Sequence, residues 1–64
     1  MRYEIEMYYR GYLPRWTVIE AGSNFEAREI AKAWIEAMVV PLEECLVTIL
    51  GPGGRSETFE PGEL

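Results

Sequence analysis

The sequence predicts an α+β fold of order β-β-α-β-β, in which one helix packs on a mostly antiparallel four-stranded sheet. Three observations predict it: alternating apolar and polar residues near the N-terminus, a capped segment with helical periodicity, and a later continuous apolar run. The 64 residues suffice for one small domain. We place that domain at residues 1–60 and expect residues 61–64 to form a loose C-terminal tail.

The first two strands are predicted to form an antiparallel hairpin. Residues 2–10 alternate with a period of two, which is typical of a half-buried strand. Glycine and proline interrupt this pattern within residues 11–14, and residues 15–21 are rich in β-branched and aromatic types. The residues of the first strand expected to face the core are Tyr3, Ile5, Met7 and Tyr9.

Two pairing registers are open for this hairpin, and a slip of one residue exchanges the two faces. Pairing Arg10 with Arg15 leaves a four-residue loop and places Trp16 and Val18 on the core face. Pairing Arg10 with Trp16 leaves a five-residue loop and places Tyr8, Trp16 and Val18 together on the outer face.

We prefer the second register for two reasons. It directs Ala21 inward immediately before the helix, and it keeps Arg10 from lying opposite Arg15. Its disadvantage is that Glu20 would lie beside Glu6, where two like charges repel.

The helix has the clearest local signal in the chain. Ser23 and Glu26 have the spacing of a capping box, in which the Ser23 hydroxyl accepts from the Glu26 amide and the Glu26 carboxylate accepts from the Ser23 amide. Pro41 disfavours helical backbone at Val40, so we expect the helix to end near Met38 or Val39. The helix face expected to be apolar consists of Ala27, Ile30, Ala31, Trp34 and Met38.

Two more strands are predicted after the helix. Residues 45–50 form a continuous apolar run of strand length, which indicates an inner strand buried on both faces. Gly51–Arg55 resembles a phosphate-binding loop, but no helix follows it in the sequence, so we interpret it as a hairpin turn. Residues 55–59 are polar enough for an edge strand.

The composition excludes several classes of function. Six Lys and Arg against eleven Asp and Glu give a net charge of −5, opposite to what nucleic acids or anionic membranes attract. No His is present, and the single Cys45 follows two glutamates, so neither a nucleophile–base pair nor a zinc site can be assembled. We therefore predict no enzymatic activity, no catalytic residue, no cofactor and no metal. The N-terminus has no signal-peptide pattern, so we expect a cytoplasmic protein.

One surface remains that could contact a partner. A single helix covers one face of the sheet, and the preferred register leaves large apolar side chains on the other. Aromatic residues and arginine are enriched at binding hot spots. The candidate interaction surface consists of Tyr8, Arg10, Tyr12, Trp16 and Val18.

We therefore expect a small protein-interaction module. It would dock an aromatic sheet face or a sheet edge against a protein partner or another copy of itself. The alternative is an acidic inhibitor of the phage or bacterial type, which would mimic nucleic-acid charge on a host enzyme and bind with a strong dependence on salt.

Overall fold

A computed structural model describes residues 1–64 as one helix packed on a four-stranded sheet, which confirms the predicted fold class. Every pair of neighbouring strands is antiparallel, and the spatial order is β2-β1-β3-β4. The elements are β1 (Arg2–Tyr8), β2 (Arg15–Glu20), α1 (Asn24–Ala37), β3 (Leu46–Leu50) and β4 (Ser56–Phe59). A 3₁₀ turn at Leu42–Glu44 precedes β3, and a turn at Pro52–Gly54, in which Gly53 and Gly54 have positive φ, precedes β4.

The central position of β3 confirms the interpretation of the apolar run. Val47 and Ile49 are buried on the helix side of the sheet, while Leu46 and Leu50 are half-buried on the outer side. β1 is the other central strand. The polar strand β4 lies at one edge of the sheet, as predicted.

The side chains of the first hairpin lie on the faces that the preferred register predicts, but the predicted pairing of residues across the two strands is wrong. Trp16 lies opposite Glu6, not opposite Arg10. The physical reason is a β-turn in which Arg10 and Gly11 are the central residues, closed by a 3.0 Å hydrogen bond from the Tyr12 amide to the Tyr9 carbonyl. Gly11 has a φ of 85°, which glycine adopts without steric cost. Arg10 therefore belongs to the connection and pairs with no strand.

This shift also separates the two glutamates that were expected to repel each other. Glu20 lies opposite Arg2, and Glu6 lies opposite Trp16. Trp16 lies opposite a β1 residue that is four positions from the predicted partner. Because this shift is an even number of residues, every side chain of the hairpin stays on the face predicted for it.

The helix begins and ends as predicted, with one difference in its cap. Ser23 is the N-cap, and its Oγ accepts from the Glu26 amide at 3.1 Å. The Glu26 carboxylate accepts from the amide of Gly22, at 2.8 Å, and not from that of Ser23. Met38 is the C-cap, within a residue of the predicted end. On the exposed side, Lys32 pairs with Glu29 at 3.2 Å.

The centre of the buried helix face differs from the predicted one. Ala27, Ala31 and Ile35 are each 0% exposed, and Ile35 was absent from the predicted face. The other residues predicted for this face, Ile30, Trp34 and Met38, are partly buried at its margin. The core therefore follows a spacing of four residues along the helix. The remaining core residues are Tyr3, Ile5, Met7, Ala21, Cys45, Val47, Ile49 and Phe59.

The last residues of the chain form a hydrogen-bonded turn. The Glu63 amide donates to the Glu60 carbonyl at 2.9 Å, and the Glu60 amide donates to the Glu63 carboxylate at 2.7 Å. Leu64 is partly buried against the core.

Candidate functional site

The outer face of the sheet carries three of the five residues of the candidate interaction surface. Trp16 and Val18 of β2 and Tyr8 of β1 all point away from the helix, with exposed fractions of 67%, 38% and 49%. Tyr8 lies beyond Glu6 along β1, so it is a diagonal neighbour of Trp16. The sequence prediction that these three side chains share a face holds in the structure.

Two carboxylates divide this face. Glu4 lies between Val18 of β2 and Leu50 of β3, and Glu6 lies between Trp16 and Thr48. Neither carboxylate forms a salt bridge. Trp16 and Val18 are therefore separated from the apolar residues of β3 and lie along the outer edge of the sheet.

The other two predicted surface residues lie in the hairpin connection. Arg10 is exposed at the turn. The ring of Tyr12 stacks on that of Tyr9, with centroids 5.1 Å apart and an angle of 32° between the planes. Tyr12 lines a small groove of about 170 Å³ on the helix side of the sheet, together with Met7 and Met38 among others. The structure therefore places Tyr12 apart from the outer face.

Apolar exposure also extends over this end of the molecule, which sequence reasoning missed. Leu13 in the hairpin connection is 86% exposed, and Val39 after the helix is 91% exposed. Val39 has a φ of 59°, in the left-handed region that β-branched residues rarely occupy. One sequence feature indicates that an apolar residue ends the helix in this conformation: no glycine or asparagine lies between the predicted helix end and Pro41.

The hydrogen-bond pattern of the first hairpin shows which backbone groups of β2 are free. Met1 and Ala21 exchange two hydrogen bonds, of 2.9 Å and 2.7 Å, so they are a hydrogen-bonded pair. Such pairs alternate along an antiparallel ladder. The amides and carbonyls of Trp16, Val18 and Glu20 therefore point away from β1, toward the edge of the sheet, where no strand pairs with them.

The two edge strands of the sheet, β4 and β2, differ in how well they resist pairing with a strand of another chain. β4 is four residues long, and Phe59 is its sole apolar residue. Such short polar edges discourage pairing with another chain. β2 is six residues long, contains no proline or lysine, and has three consecutive β-branched residues, 17–19, after Trp16. The backbone of β2 thus offers a long, regular strand for pairing.

Cys45 offers no reactive thiol at this surface. It is buried, as predicted, and its Sγ donates to the Pro41 carbonyl at 3.3 Å. Burial, together with the nearby charges of Glu43 and Glu44, raises the pKa of the Cys45 thiol above its ordinary value. The neutral form of the thiol is therefore favoured near pH 7.

Comparisons with protein-family models, curated protein sequences and solved structures give no match for this chain. None of its helices has the length and apolar character that crossing a bilayer requires.

Proposed function

We propose that this protein is a protein-interaction module whose edge strand β2 pairs with β2 of a second copy. The observation that carries the proposal is the free, regular edge of β2, with Trp16 and Val18 exposed beside it. Addition of a strand supplies main-chain hydrogen bonds, and the alternating side chains supply specificity.

An antiparallel pairing of two β2 strands centred on Val18 uses the edge-facing amides and carbonyls of Trp16, Val18 and Glu20 in each copy. Val18 then lies opposite its counterpart, and Trp16 lies opposite Glu20 of the other copy. The two four-stranded sheets become continuous, with both helices on the same side. On the helix side of the sheet, Arg15 lies opposite Ala21, so no like charges face each other directly.

The size of the domain also supports self-association. The core contains eleven buried residues, and Cys45 is free. Domains of this size without disulfides or metals commonly depend on assembly for part of their stability. The net charge of −5 on each copy opposes association, so we expect added salt to strengthen the dimer by screening.

The test is the molar mass in solution, measured by size-exclusion chromatography with light scattering over a range of concentrations. We expect a species of about twice 7.4 kDa at high concentration, and a monomer for Val18→Pro. This substitution removes an outward-facing amide and no hydrogen bond within the sheet.

The matched control is Ser56→Pro, which removes an outward-facing amide at the start of the other edge strand and should leave the dimer intact. Circular dichroism confirms that both variants fold. A wild-type protein that stays monomeric, or a folded Val18→Pro variant that still dimerises, would overturn the proposal.

A second candidate function is the acidic inhibitor that occupies a nucleic-acid site on a host enzyme. Glu4 and Glu6 favour it, because they are neighbours on the outer face and neither forms a salt bridge. A complex of this type weakens as salt is added, opposite to the behaviour expected of the dimer. Binding that is insensitive to salt, or to Glu4→Gln with Glu6→Gln, contradicts this candidate.

A further inference from the structure

A second surface feature lies at the end of the sheet where β1 begins, and no residue of β2 lines it. It is an open cleft of about 580 Å³ between the start of β1, the first half of α1 and the β3–β4 connection. We call it the arginine cleft. Its lining residues are Met1, Tyr3, Asn24, Arg28, Ile49, Gly51, Pro52, Arg55, Ser56 and Glu57.

Two guanidinium groups line the cleft without a carboxylate partner. Arg28 and Arg55 form no salt bridge, although the chain contains eleven glutamates. Arg28 is partly buried, and its guanidinium carbon lies 4.8 Å from the centre of the Phe59 ring. This contact orients the side chain while leaving its N–H groups free for a ligand. Glu57 also lines the cleft, and it is free to accept a hydrogen bond from a ligand hydroxyl or amine.

Neutral polar groups and an apolar wall complete the cleft. The Tyr3 hydroxyl donates to the Asn24 side-chain oxygen at 2.9 Å, which leaves the Asn24 amide nitrogen able to donate elsewhere. The Tyr3 ring packs so closely on Gly51 that a β-carbon there would lie 3.0 Å from the ring. Gly51 therefore allows the glycine-rich connection to approach the β1 side of the cleft.

In the folded chain, a helix lies near the Gly51–Arg55 connection although none follows it in the sequence. No helix follows Gly51–Arg55 along the chain, but the first turns of α1, with Asn24 and Arg28, lie across the cleft from it. A glycine-rich connection, two arginines and neutral donors thus converge on one space. Arginine forks match the oxygens of a phosphate group, which two guanidinium groups can bind together.

We propose that the arginine cleft binds a small molecule that carries a phosphate group, with Arg28 and Arg55 on the phosphate. Met1 and Pro52, which are exposed, form the apolar wall against the rest of the ligand, and Glu57 accepts from a ligand hydroxyl. No residue of β2 lines this site, so either proposal can fail without the other.

The test is a titration of the full chain, followed by amide and arginine side-chain NMR shifts. The probes are AMP, ribose 5-phosphate, inorganic phosphate and adenosine. We expect AMP and ribose 5-phosphate to shift signals of Arg28, Arg55 and Ser56, and adenosine to shift none. Inorganic phosphate binding as tightly as AMP would overturn the organic-ligand part of the proposal and leave a plain phosphate site.

Three arginine variants decide the assignment. Arg55→Gln changes an exposed side chain that forms no salt bridge and should weaken AMP binding by at least about tenfold, the cost of one charge-assisted hydrogen bond. Arg28→Lys keeps the charge without the fork and should also weaken binding. The matched control is Arg15→Gln, outside the cleft, which should not. No AMP-induced shift at millimolar concentration, or equal losses in all three variants, would overturn the proposal.

Discussion

Individual residues in this protein are constrained mostly by backbone conformation and burial. Val39 and Cys45 show the two cases. Val39 is almost fully exposed, so its energetic effect comes from its left-handed backbone and not from packing. Cys45 is 1% exposed, so its effect comes from burial of the thiol.

Replacing Val39 by glycine should stabilise the protein. The left-handed conformation costs a residue with a β-carbon about 1–2 kcal/mol, and glycine avoids that cost but is more flexible when unfolded. We expect Val39→Gly to raise the free energy of unfolding by about 1 kcal/mol in urea denaturation. Val40→Gly, at a partly buried position without positive φ, should lower it instead. An unchanged or lower stability for Val39→Gly contradicts this backbone assignment.

Cys45 should make stability depend on alkaline pH. Because the folded state raises the pKa of the thiol, its contribution is complete below the pKa of the unfolded chain, about 8.5. It is then lost as pH rises toward the folded pKa, because the unfolded chain ionises first. Urea midpoints measured from neutral to alkaline pH should fall more steeply for the wild type than for Cys45→Ala. Parallel curves for the two proteins would show that the pKa of Cys45 is not raised.

At the scale of elements, local signals determine the helix, and turn geometry determines the hairpin. The cap at Ser23 is a local hydrogen bond, so the sequence identified its position correctly. The pairing of β1 with β2 depends on where the chain reverses. The reversal at Arg10 and Gly11, and not the hydrophobic pattern, sets that pairing.

Removing the helix cap should have a measurable cost. Ser23→Ala leaves the Glu26 amide without the acceptor that lies 3.1 Å away. We expect a decrease of about 1 kcal/mol in the free energy of unfolding, measured by thermal or urea denaturation. Ser56→Ala, on the exposed strand β4, is the matched control and should change stability little. Equal effects of the two substitutions would show that Ser23 does not cap α1.

At the scale of the whole molecule, the fold divides its surface into distinct regions. The helix covers one face of the sheet, and Trp16 and Val18 of β2 lie on the other. The free edge of β2 and the arginine cleft are formed by different residues, and the two proposals assign them partners of different chemistry. One acidic chain therefore has both a free strand edge and a cleft lined by two arginines.

Trp16 provides a direct report on the proposed dimer. In a Trp34→Phe variant, Trp16 is the only indole, and in one isolated copy it is 67% exposed. Pairing of the β2 edges should shield it, so we expect blue-shifted emission at high concentration that shifts to the red on dilution. The same variant carrying Val18→Pro should emit as a water-exposed indole at all concentrations. Emission independent of concentration in the first variant contradicts burial of Trp16 by self-association.

The candidate site was only partly predictable from sequence. Tyr8, Trp16 and Val18 were assigned to one face correctly because a strand has a period of two, which pairing shifted by an even number preserves. Tyr12 was grouped with them, but its ring stacks on Tyr9 on the helix side. A loop residue has no such periodicity, so its direction could not be predicted.

The sequence by itself determined the α+β class, the order of the elements, the limits of the helix and the inner position of β3. These features depend on local hydrogen bonds and hydrophobic periodicity, which neighbouring residues specify. Only the tertiary structure decided the strand pairing of the first hairpin, the central role of Ile35 and the position of Arg28 and Arg55 at one cleft. These depend on contacts between residues distant in sequence, whose positions are set jointly by turn geometry and by packing of the helix on the sheet.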